Sequence, residues 1–228
     1  MDLVGLLLDS ELFEGFARAD LMPLAPSLRT RRYQPGAYLW QVGDPVVAAC
    51  LVVSGLAKVR HLEADGHEVV LELVTAGETV GEFHLFDEKA RRYYDTVAIE
   101  STEVLVIPRD HLMHMLDSNP RLIKILAASM LRRLLRQHGA ITELQLVDLE
   151  ARLARRLLAL MKLRAEPVPD GTRITLRLSQ SLLASTVRAS REHVNRALAR
   201  MADAGIVRLQ DGYIIVRAEE ALAQKAAG

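Results

Sequence analysis

Several features are scarce in this 228-residue chain, and each absence excludes a class of protein. Cys50 is the only cysteine, so an internal disulfide and a cysteine-rich zinc or iron–sulfur site are excluded. No run of about 18 consecutive apolar residues occurs, so we expect no membrane-spanning helix and no membrane partner. Residues 1–8 are apolar but lack a basic stretch before them, and we interpret them as mature protein and not as a secretion signal. These absences together predict a cytoplasmic protein.

Net charge is also absent, because 29 basic side chains balance 29 acidic ones. A neutral total argues against a nucleic-acid partner only if the charges are evenly spread, and they are not. From residue 150 to the end there are 14 Lys and Arg against 8 Asp and Glu, a net charge of +6, and residues 1–149 carry −6. The sequence therefore predicts a basic C-terminal part that suits an anionic partner.

Residues 28–108 consist of short β-prone runs separated by turn residues. We expect strands at residues 38–42, 46–53, 56–61, 69–74, 97–101 and 104–107. Asp65-Gly66, which lies between two of these runs, is the clearest hairpin signal, because glycine adopts a positive φ without steric cost. Strands this short and evenly spaced predict an all-β barrel or roll.

The pattern becomes helical after residue 110. Pro120 is placed to begin a helix, with Ser118 or Asn119 as its cap, and the helix is expected to reach residue 149. Steps of three and four residues outline a coiled-coil-like seam, polar at its middle, formed by Ile123, Leu126, Met130, Arg133, Gln137, Ala140, Leu144 and Val147. A helix packed on its own domain and a dimer helix with a ligand-facing centre both fit this seam, and the length favours the dimer. Beyond it we expect a helix at 151–164, a loop at 166–171 and a strand at 173–178.

Residues 178–201 have the pattern of two short helices joined by a tight turn. Ser179 is expected to cap the first helix and Ser190 the second, with the turn at Arg188-Ala189. The second helix is expected to bury Val194, Ala197, Leu198 and Met201 and to project Arg191, Glu192, His193, Asn195 and Arg196.

Outward guanidinium and carboxylate groups on such a helix suit the major groove of double-stranded DNA. Arginine donates in a fork to guanine, glutamate accepts from cytosine, and a serine at a helix N-terminus suits a backbone phosphate. A solvated charged face is the alternative reading. A predicted hairpin around Gln210-Asp211-Gly212, placed like the wing of a winged helix, favours DNA binding.

The segment Ser190-Arg-Glu-His-Val-Asn-Arg196 resembles the recognition-helix signature S-R-E-x-V-x-R of the CRP/FNR family of transcription regulators. The resemblance implies that Arg191, Glu192 and Arg196 read bases on palindromic half-sites of the TGTGA type. The family more often has glycine where this chain has Arg188, which would alter the turn or add a phosphate contact. The predicted DNA-contacting residues are therefore Ser179, Arg188, Ser190, Arg191, Glu192, Asn195 and Arg196.

The glycine-containing segments at 35–36, 41–44, 52–55, 65–68 and 76–82 resemble the cyclic-nucleotide-binding β-roll of the same family. The implied fold is α+β, with a double-stranded β-helix (β-roll) sensor at 1–117, a dimerisation helix at 118–149 and a winged helix-turn-helix at 150–228. The implied function is a homodimeric, sequence-specific transcription regulator, either controlled through the roll by a small effector or constitutively competent for DNA. RNA polymerase is a possible partner, for example through residues 166–172. A signalling module that acts through protein partners without specific DNA binding is the alternative.

In cAMP-binding members of the family, a Glu after glycine holds the ribose, and an Arg followed by a small hydroxyl residue holds the cyclic phosphate. This chain has Glu82 and Arg92, but Tyr93 follows, and we expect its ring to fill the phosphate pocket or to redirect Arg92. The candidate effector residues, including two on the long helix, are Gly81, Glu82, Phe83, Arg92, Tyr93, Gln137 and His138. Binding of cAMP, binding of another small effector, and an empty roll held by an internal ion pair between Glu82 and Arg92 are all compatible with these residues.

Motifs of catalysis and of metal binding are missing. There is no nucleophile elbow, phosphate-binding loop or H-E-x-x-H segment, so we predict that the protein is not an enzyme. His111 and His114 lie three residues apart on a predicted helix, which without a third ligand indicates no metal site. Cys50, between Ala49 and Leu51, is expected to be a core residue.

Overall fold

The computed structural model describes residues 1–227 except Ala64, Glu88, Ala90 and Val147, and it describes no side chain for Arg133 or for residues 136–146. The chain forms two compact units. The first comprises Met1–Leu62 and Leu71–Gln137, and the second comprises Glu63–Val70 and His138–Gly228. No helix among the described residues is both long enough and apolar enough to cross a membrane.

The first unit begins with short helices that the sequence reading did not anticipate. They are α1 (Leu3–Leu8), a 3₁₀ turn (Glu11–Phe13), α2 (Arg18–Leu21) and a second 3₁₀ segment (Met22–Ser27). Asp2 caps α1 by accepting a hydrogen bond from the Gly5 amide at 3.0 Å, and it pairs with Arg18 on α2 at 2.8 Å. Val4 and Leu7 on α1 are buried, so this segment is part of the core of the first unit.

Eight strands follow and form the predicted roll. They are β1 (Arg29–Tyr33), β2 (Tyr38–Trp40), β3 (Ala48–Ser54), β4 (Leu56–Leu62), β5 (Glu68–Thr75), β6 (Thr79–Val80), β7 (Asp95–Ala98) and β8 (Thr102–Pro108). They make two four-stranded sheets, ordered β1-β8-β3-β6 and β2-β7-β4-β5, and the β1–β8, β3–β8 and β4–β7 pairs are antiparallel. The β-roll expected from the sequence is confirmed, with β1 and β6 added to it.

The alternation of side chains along β3 separates two apolar clusters. Ala49 and Leu51 belong to a large cluster shared with the N-terminal helices and the helices after the roll. Cys50 and Val52 point the other way, into a smaller cluster in the interior of the roll with Val74, Val80 and Val104. The expectation that Cys50 is a core residue is confirmed, since it is 4% exposed.

Two helices leave the roll, α3 (Arg109–Ser118) and α4 (Pro120–Leu146), and α4 begins at the predicted proline. Leu126 is buried in the core of the first unit and Met130 packs against it, so these two members of the predicted seam face their own domain. The apolar stripe that stays exposed on the described part of α4 is shifted by about one residue and runs through Ile123, Ala127, Leu131 and Leu134. The remaining seam side chains, from Arg133 onward, lie outside the described ones.

From residue 149 to 227, the described part of the second unit forms four helices and one sheet. Its elements are α5 (Leu149–Leu163), β9 (Ala165–Val168), β10 (Gly171–Ile174), α6 (Gln180–Thr186), α7 (Arg191–Asp203), β11 (Val207–Gln210), β12 (Tyr213–Val216) and α8 (Glu219–Ala227). The sheet order is β11-β12-β10-β9. Together with α6 and α7 this is the predicted winged helix-turn-helix.

The second unit differs from the local predictions at four places. The expected loop at 166–171 is largely strand β9, because Pro167 lies on an edge strand where a missing amide is tolerated. The strand expected at 173–178 ends at Ile174. Asp148 begins a new helix by accepting a hydrogen bond from the Ala151 amide at 2.8 Å, and the closing helix α8 was not predicted.

Candidate functional site

The two helices of residues 178–201 are built by the caps that the sequence predicts. Ser179 Oγ accepts a hydrogen bond from the Leu182 amide at 3.0 Å and starts α6. Arg188 adopts a φ of +50°, in the left-handed region, and the chain closes on itself through a bond from the Ala189 amide to the Ala184 carbonyl at 3.1 Å. The predicted tight turn at Arg188-Ala189 is confirmed.

The start of α7 is organised by Ser190. Its Oγ accepts a hydrogen bond from the His193 amide at 3.2 Å and also lies 2.8 Å from His193 Nδ1. The face of α7 that the sequence assigned to the core is buried, and it comprises Val194, Ala197, Leu198 and Met201. The cap and the apolar face fix which side of α7 is left to solvent.

Three charged side chains occupy that solvent side. Arg191, Glu192 and Arg196 are exposed. Arg196 Nη1 donates to Glu192 Oε1 at 2.5 Å, and Arg191 Nε donates to Gln180 Oε1 on α6 at 3.4 Å. Since a guanidinium has five N–H donors, most donors on both arginines stay available to a ligand.

Asn195 departs from the prediction that it projects outward. Its side chain is half-buried, and its Oδ1 is buried without a hydrogen-bond partner in the described part of the chain. The reason is helical geometry, because residues three apart share a face and Leu198, which is buried, lies three residues further on.

The predicted hairpin at Gln210-Asp211-Gly212 joins β11 to β12. Asp211 and Gly212 have φ values of +52° and +81°, the combination of a type I′ turn. Behind the hairpin the Tyr213 ring lies 5.2 Å from the Arg173 guanidinium and 5.3 Å from that of Arg177. The outer part of this sheet is therefore basic and aromatic.

Two of the candidate effector residues of the first unit, Glu82 and Arg92, are buried inside the roll, and Gly81 contacts Arg92. Gly81 has a φ of +84°, and Glu82 and Arg92 are 1% and 4% exposed. Arg92 Nη1 donates to the Gly81 carbonyl at 2.9 Å, and Nη2 donates to the Ala48 carbonyl on β3. Burial lowers the pKa of Arg92, and the negative charge of Glu82 opposes that shift. The two hydrogen bonds to backbone carbonyls hold the Arg92 guanidinium against the main chain of the roll.

Trp40 completes this arrangement, and the sequence reading did not identify it. The Arg92 guanidinium lies 3.9 Å from the centre of the Trp40 ring. A Cβ on Gly81 would come within 2.5 Å of Arg92 Nη1 and 2.8 Å of the Trp40 ring. The only signal in the sequence was that Trp40 is the single tryptophan of the chain, on a strand beside the predicted pocket.

Tyr93 does not fill the interior of the roll, so the first of the two expected effects of its ring, a filled phosphate pocket, is wrong, and the second, a redirected Arg92, stays a prediction. Its side chain is 61% exposed, and its ring lies 4.8 Å from the ring of His84. Phe83 is also exposed at the surface of this segment. Gln137 and His138, the predicted effector residues on α4, have side chains outside the described ones.

Two polar atoms in the roll are buried and lack a hydrogen-bond partner among the described residues. They are Arg92 Nε and the Oγ1 of Thr96 on β7. Buried polar groups normally have a partner, so these two atoms have hydrogen-bonding capacity that the described residues do not use. No group of three His, Cys, Asp or Glu that would hold a metal ion occurs in the described part of the chain.

Two family profiles match this chain. The profile described as cyclic nucleotide-binding domain matches residues 30–119, and the profile described as Crp-like helix-turn-helix domain matches residues 151–225. The two matches cover the roll and the second unit in the order in which the elements occur.

Curated relatives match this chain over nearly its whole length. The chain is 33% identical to the cyclic AMP receptor protein of Thermus thermophilus over 96% of this chain and 97% of that protein. It is 28% identical to the CRP-like cAMP-activated global transcriptional regulator of Mycobacterium tuberculosis over 94% and 96% of the two chains. Among solved structures, the c-di-GMP-responsive global regulator CLP of Xanthomonas campestris is 26% identical, with a TM-score of 0.74 over 88% of this chain and 99% of that one.

Proposed function

The chain belongs to the CRP/FNR family of DNA-binding transcription regulators, and we propose that it acts as a cytoplasmic homodimer on a palindromic DNA site. In this proposal residues 1–117 are the sensor, 118–149 the dimerisation helix and 150–228 the DNA-binding domain. The named relatives are regulators, so we propose no enzymatic activity. An exposed turn between β9 and β10 is our candidate contact with RNA polymerase.

The observation that carries the proposal is the capped helix α7 with three charged side chains on its free side. We assign Arg191 and Arg196 to guanines and Glu192 to a cytosine of a TGTGA-type half-site, because those groups match the edges of those bases. Ser179, Ser190 and Arg188 are assigned to backbone phosphates, since both serines lie at helix N-termini. Asn195 is assigned only a minor contact, because half of it is buried.

The exposed stripe of α4 supports the homodimer. Ile123, Leu131 and Leu134 are 38%, 55% and 42% exposed on one side of a 27-residue helix. Exposed leucines at steps of three and four residues are typical of a coiled-coil partner surface. A second copy of α4 would cover them and would set two α7 helices for two half-sites.

The interior of the roll favours DNA binding without cAMP. Two of the five N–H donors of Arg92 bind the Gly81 and Ala48 carbonyls, and the face of its guanidinium lies on the Trp40 ring, so the arginine is held in place without a cyclic phosphate. The protein itself thus supplies the groups that a ligand would otherwise provide. We propose that cAMP leaves the affinity for DNA unchanged.

Control by a different small effector is the second candidate. The partnerless Arg92 Nε and Thr96 Oγ1 favour it, because they leave polar binding capacity inside the roll. Relatives carry the names cAMP-activated and c-di-GMP-responsive, so nucleotides are the class to test first. An effector would act only through a difference in affinity between two arrangements of the dimer.

A fluorescence-anisotropy titration of the protein onto a labelled TGTGA-type palindrome tests the DNA-binding assignment. Arg196→Ala should lose about 1–3 kcal/mol of discrimination at one guanine, and Arg32→Ala, which removes the same charge from an exposed side chain of the roll, should lose none. An equal loss by Arg196→Ala on every DNA sequence would contradict the base-reading role.

The same titration with cAMP and with c-di-GMP tests the roll, and Trp40 fluorescence reports on Arg92 in parallel. Affinity and fluorescence unchanged by cAMP would support the self-held arginine. A change in both, abolished in Arg92→Met, would establish that the arginine leaves Trp40 for the ligand.

A further inference from the structure

One carboxylate in the second unit joins three helices. Glu150 lies in the first turn of α5. Its Oε1 accepts a hydrogen bond from Arg200 Nε in the last turn of α7, and its Oε2 accepts one from Lys225 Nζ in the last turn of α8 at 2.6 Å. Each oxygen therefore anchors a different helix to the beginning of α5.

The Glu150 carboxylate is partly shielded from water, and both of its partners are positively charged. The Glu150 side chain is 21% exposed, while those of Arg200 and Lys225 are 59% and 36% exposed. The hydrogen bonds from Lys225 and Arg200 lower the pKa of Glu150, so the carboxylate is ionised at neutral pH. Hydrogen bonds between ionised partners are shorter and stronger than neutral ones, which makes this a firm attachment.

The closing helix α8 contributes to the same attachment. It buries Leu222 and Ala226, and the Ala226 carbonyl accepts a hydrogen bond from Arg155 Nε on α5. These contacts place Lys225 beside Glu150. Helix α8, which was not predicted from the sequence, thus supplies the second hydrogen-bond donor to the Glu150 carboxylate.

We propose that Glu150 is a positioning residue for DNA reading, which fixes the tilt of α7 relative to α5; this rests on the proposed role of α7. The base-reading candidates lie in the first two turns of α7, and the anchor lies in its last turn. Arg200 is about 13 Å along the helix from Arg191, so a tilt of about 10° would move the first turn by about 2 Å. Bidentate hydrogen bonds to a base do not survive a displacement of that size.

The position of Glu150 also suits the transfer of a signal. Asp148 caps α5 immediately after α4, and Glu150 follows two residues later. A change at the end of α4 that rotates the first turn of α5 would move the carboxylate and, through Arg200, the recognition helix. Glu150 therefore transmits a change at the end of α4 to the position of α7.

The test is Glu150→Gln, which keeps the shape of the side chain and removes its charge. We expect about a tenfold loss of affinity for the operator, from the weakening of one charge-assisted hydrogen bond, with the affinity for random DNA unchanged. Glu219→Gln, an exposed glutamate in the first turn of α8, is the matched control and should change neither affinity. Arg200→Lys should retain discrimination, and Arg200→Met should lose it.

Equal changes in affinity for operator and random DNA, in Glu150→Gln or in Arg200→Met, would overturn the proposal, because they would make Arg200 a simple phosphate contact. Full discrimination in both variants would overturn it as well. If Glu150→Gln does not fold by circular dichroism, Arg200→Met and Lys225→Met carry the same prediction. Failure of the wild-type protein to discriminate would refute the proposed function, whereas intact wild-type discrimination with unaffected variants would refute only the positioning role.

Discussion

Arg188 stands where a glycine would be at lower energy, and replacing it separates the stability of the turn from its contact with DNA. Its φ of +50° lies in the left-handed region, and its side chain is exposed. In that region the Cβ of an L-residue crowds the next carbonyl, at a cost of roughly 1–2 kcal/mol. Arg188→Gly removes this cost.

The expected gain is smaller than the strain, because glycine gives the unfolded chain more freedom. That entropy opposes folding by about 0.4–1 kcal/mol, so Arg188→Gly should raise the free energy of unfolding by up to about 1.6 kcal/mol. Arg188→Asn, which also tolerates positive φ, should fall between the two. Urea denaturation followed by circular dichroism measures all three proteins.

The same substitution should weaken DNA binding if Arg188 contacts a phosphate. Loss of one phosphate contact lowers the affinity for all sequences about equally and reduces the slope of log K against log salt by about 1. Arg188→Lys should keep the slope. Anisotropy titrations between low and moderate salt give both quantities.

The stability and the salt dependence of Arg188→Gly together separate backbone strain at the turn from a phosphate contact. A more stable protein with a shallower salt dependence would show that the turn is kept strained for the sake of an electrostatic contact. A less stable Arg188→Gly would refute the strain argument, and an unchanged salt slope would refute the phosphate contact.

Three further predictions follow from the roll and from α4. Gly81→Ala should lower the free energy of unfolding by about 2 kcal/mol or more, because the new Cβ would lie 2.5 Å from Arg92 Nη1 at a φ of +84°; thermal melts against Gly77→Ala, where no atom lies within 4 Å, measure it. Leu134→Asp should convert the dimer to monomer in analytical ultracentrifugation and leave the far-UV spectrum of the folded chain in place; a persistent dimer would exclude the stripe as the interface. Burial raises the pKa of Cys50 to about 12, so the native thiol should resist iodoacetamide at about pH 9 and react once unfolded, and stability should fall above about pH 9, where only the unfolded chain loses the proton.

Local signals made the helix-turn-helix predictable from the sequence. Ser179 and Ser190 form the expected caps, and the apolar face of α7 is the expected one, because capping and helical spacing depend on residues three or four apart. Six of the eight strands of the roll were also predicted within a few residues of their bounds, because β-prone runs and turn residues are local signals too. The partial burial of Asn195 was not predicted, since it depends on how α7 packs and not on the sequence of α7 alone.

The contacts inside the roll depend on residues far apart in the chain and were therefore missed. Trp40 meets Arg92 and Gly81 only after β2 has paired with β7 and β3 with β6, and no spacing rule connects the three residues. Tyr93, next to Arg92 in the sequence, points to solvent. The exposed stripe of α4 differs from the predicted seam for the same reason, because Leu126 packs into the core of the first unit.

The two faces of α4 link the stability of the folded chain to its concentration in the cell. One face supplies Leu122 and Leu126 to the core of the first unit, and the other leaves Leu131 and Leu134 for a second copy. Folding of the sensor and association of the copies would then share one helix, so each would stabilise the other by mass action. Dilution would therefore separate the copies and remove the stability that association adds to each, and the promoters that the protein controls would respond to copy number with a threshold and not in proportion.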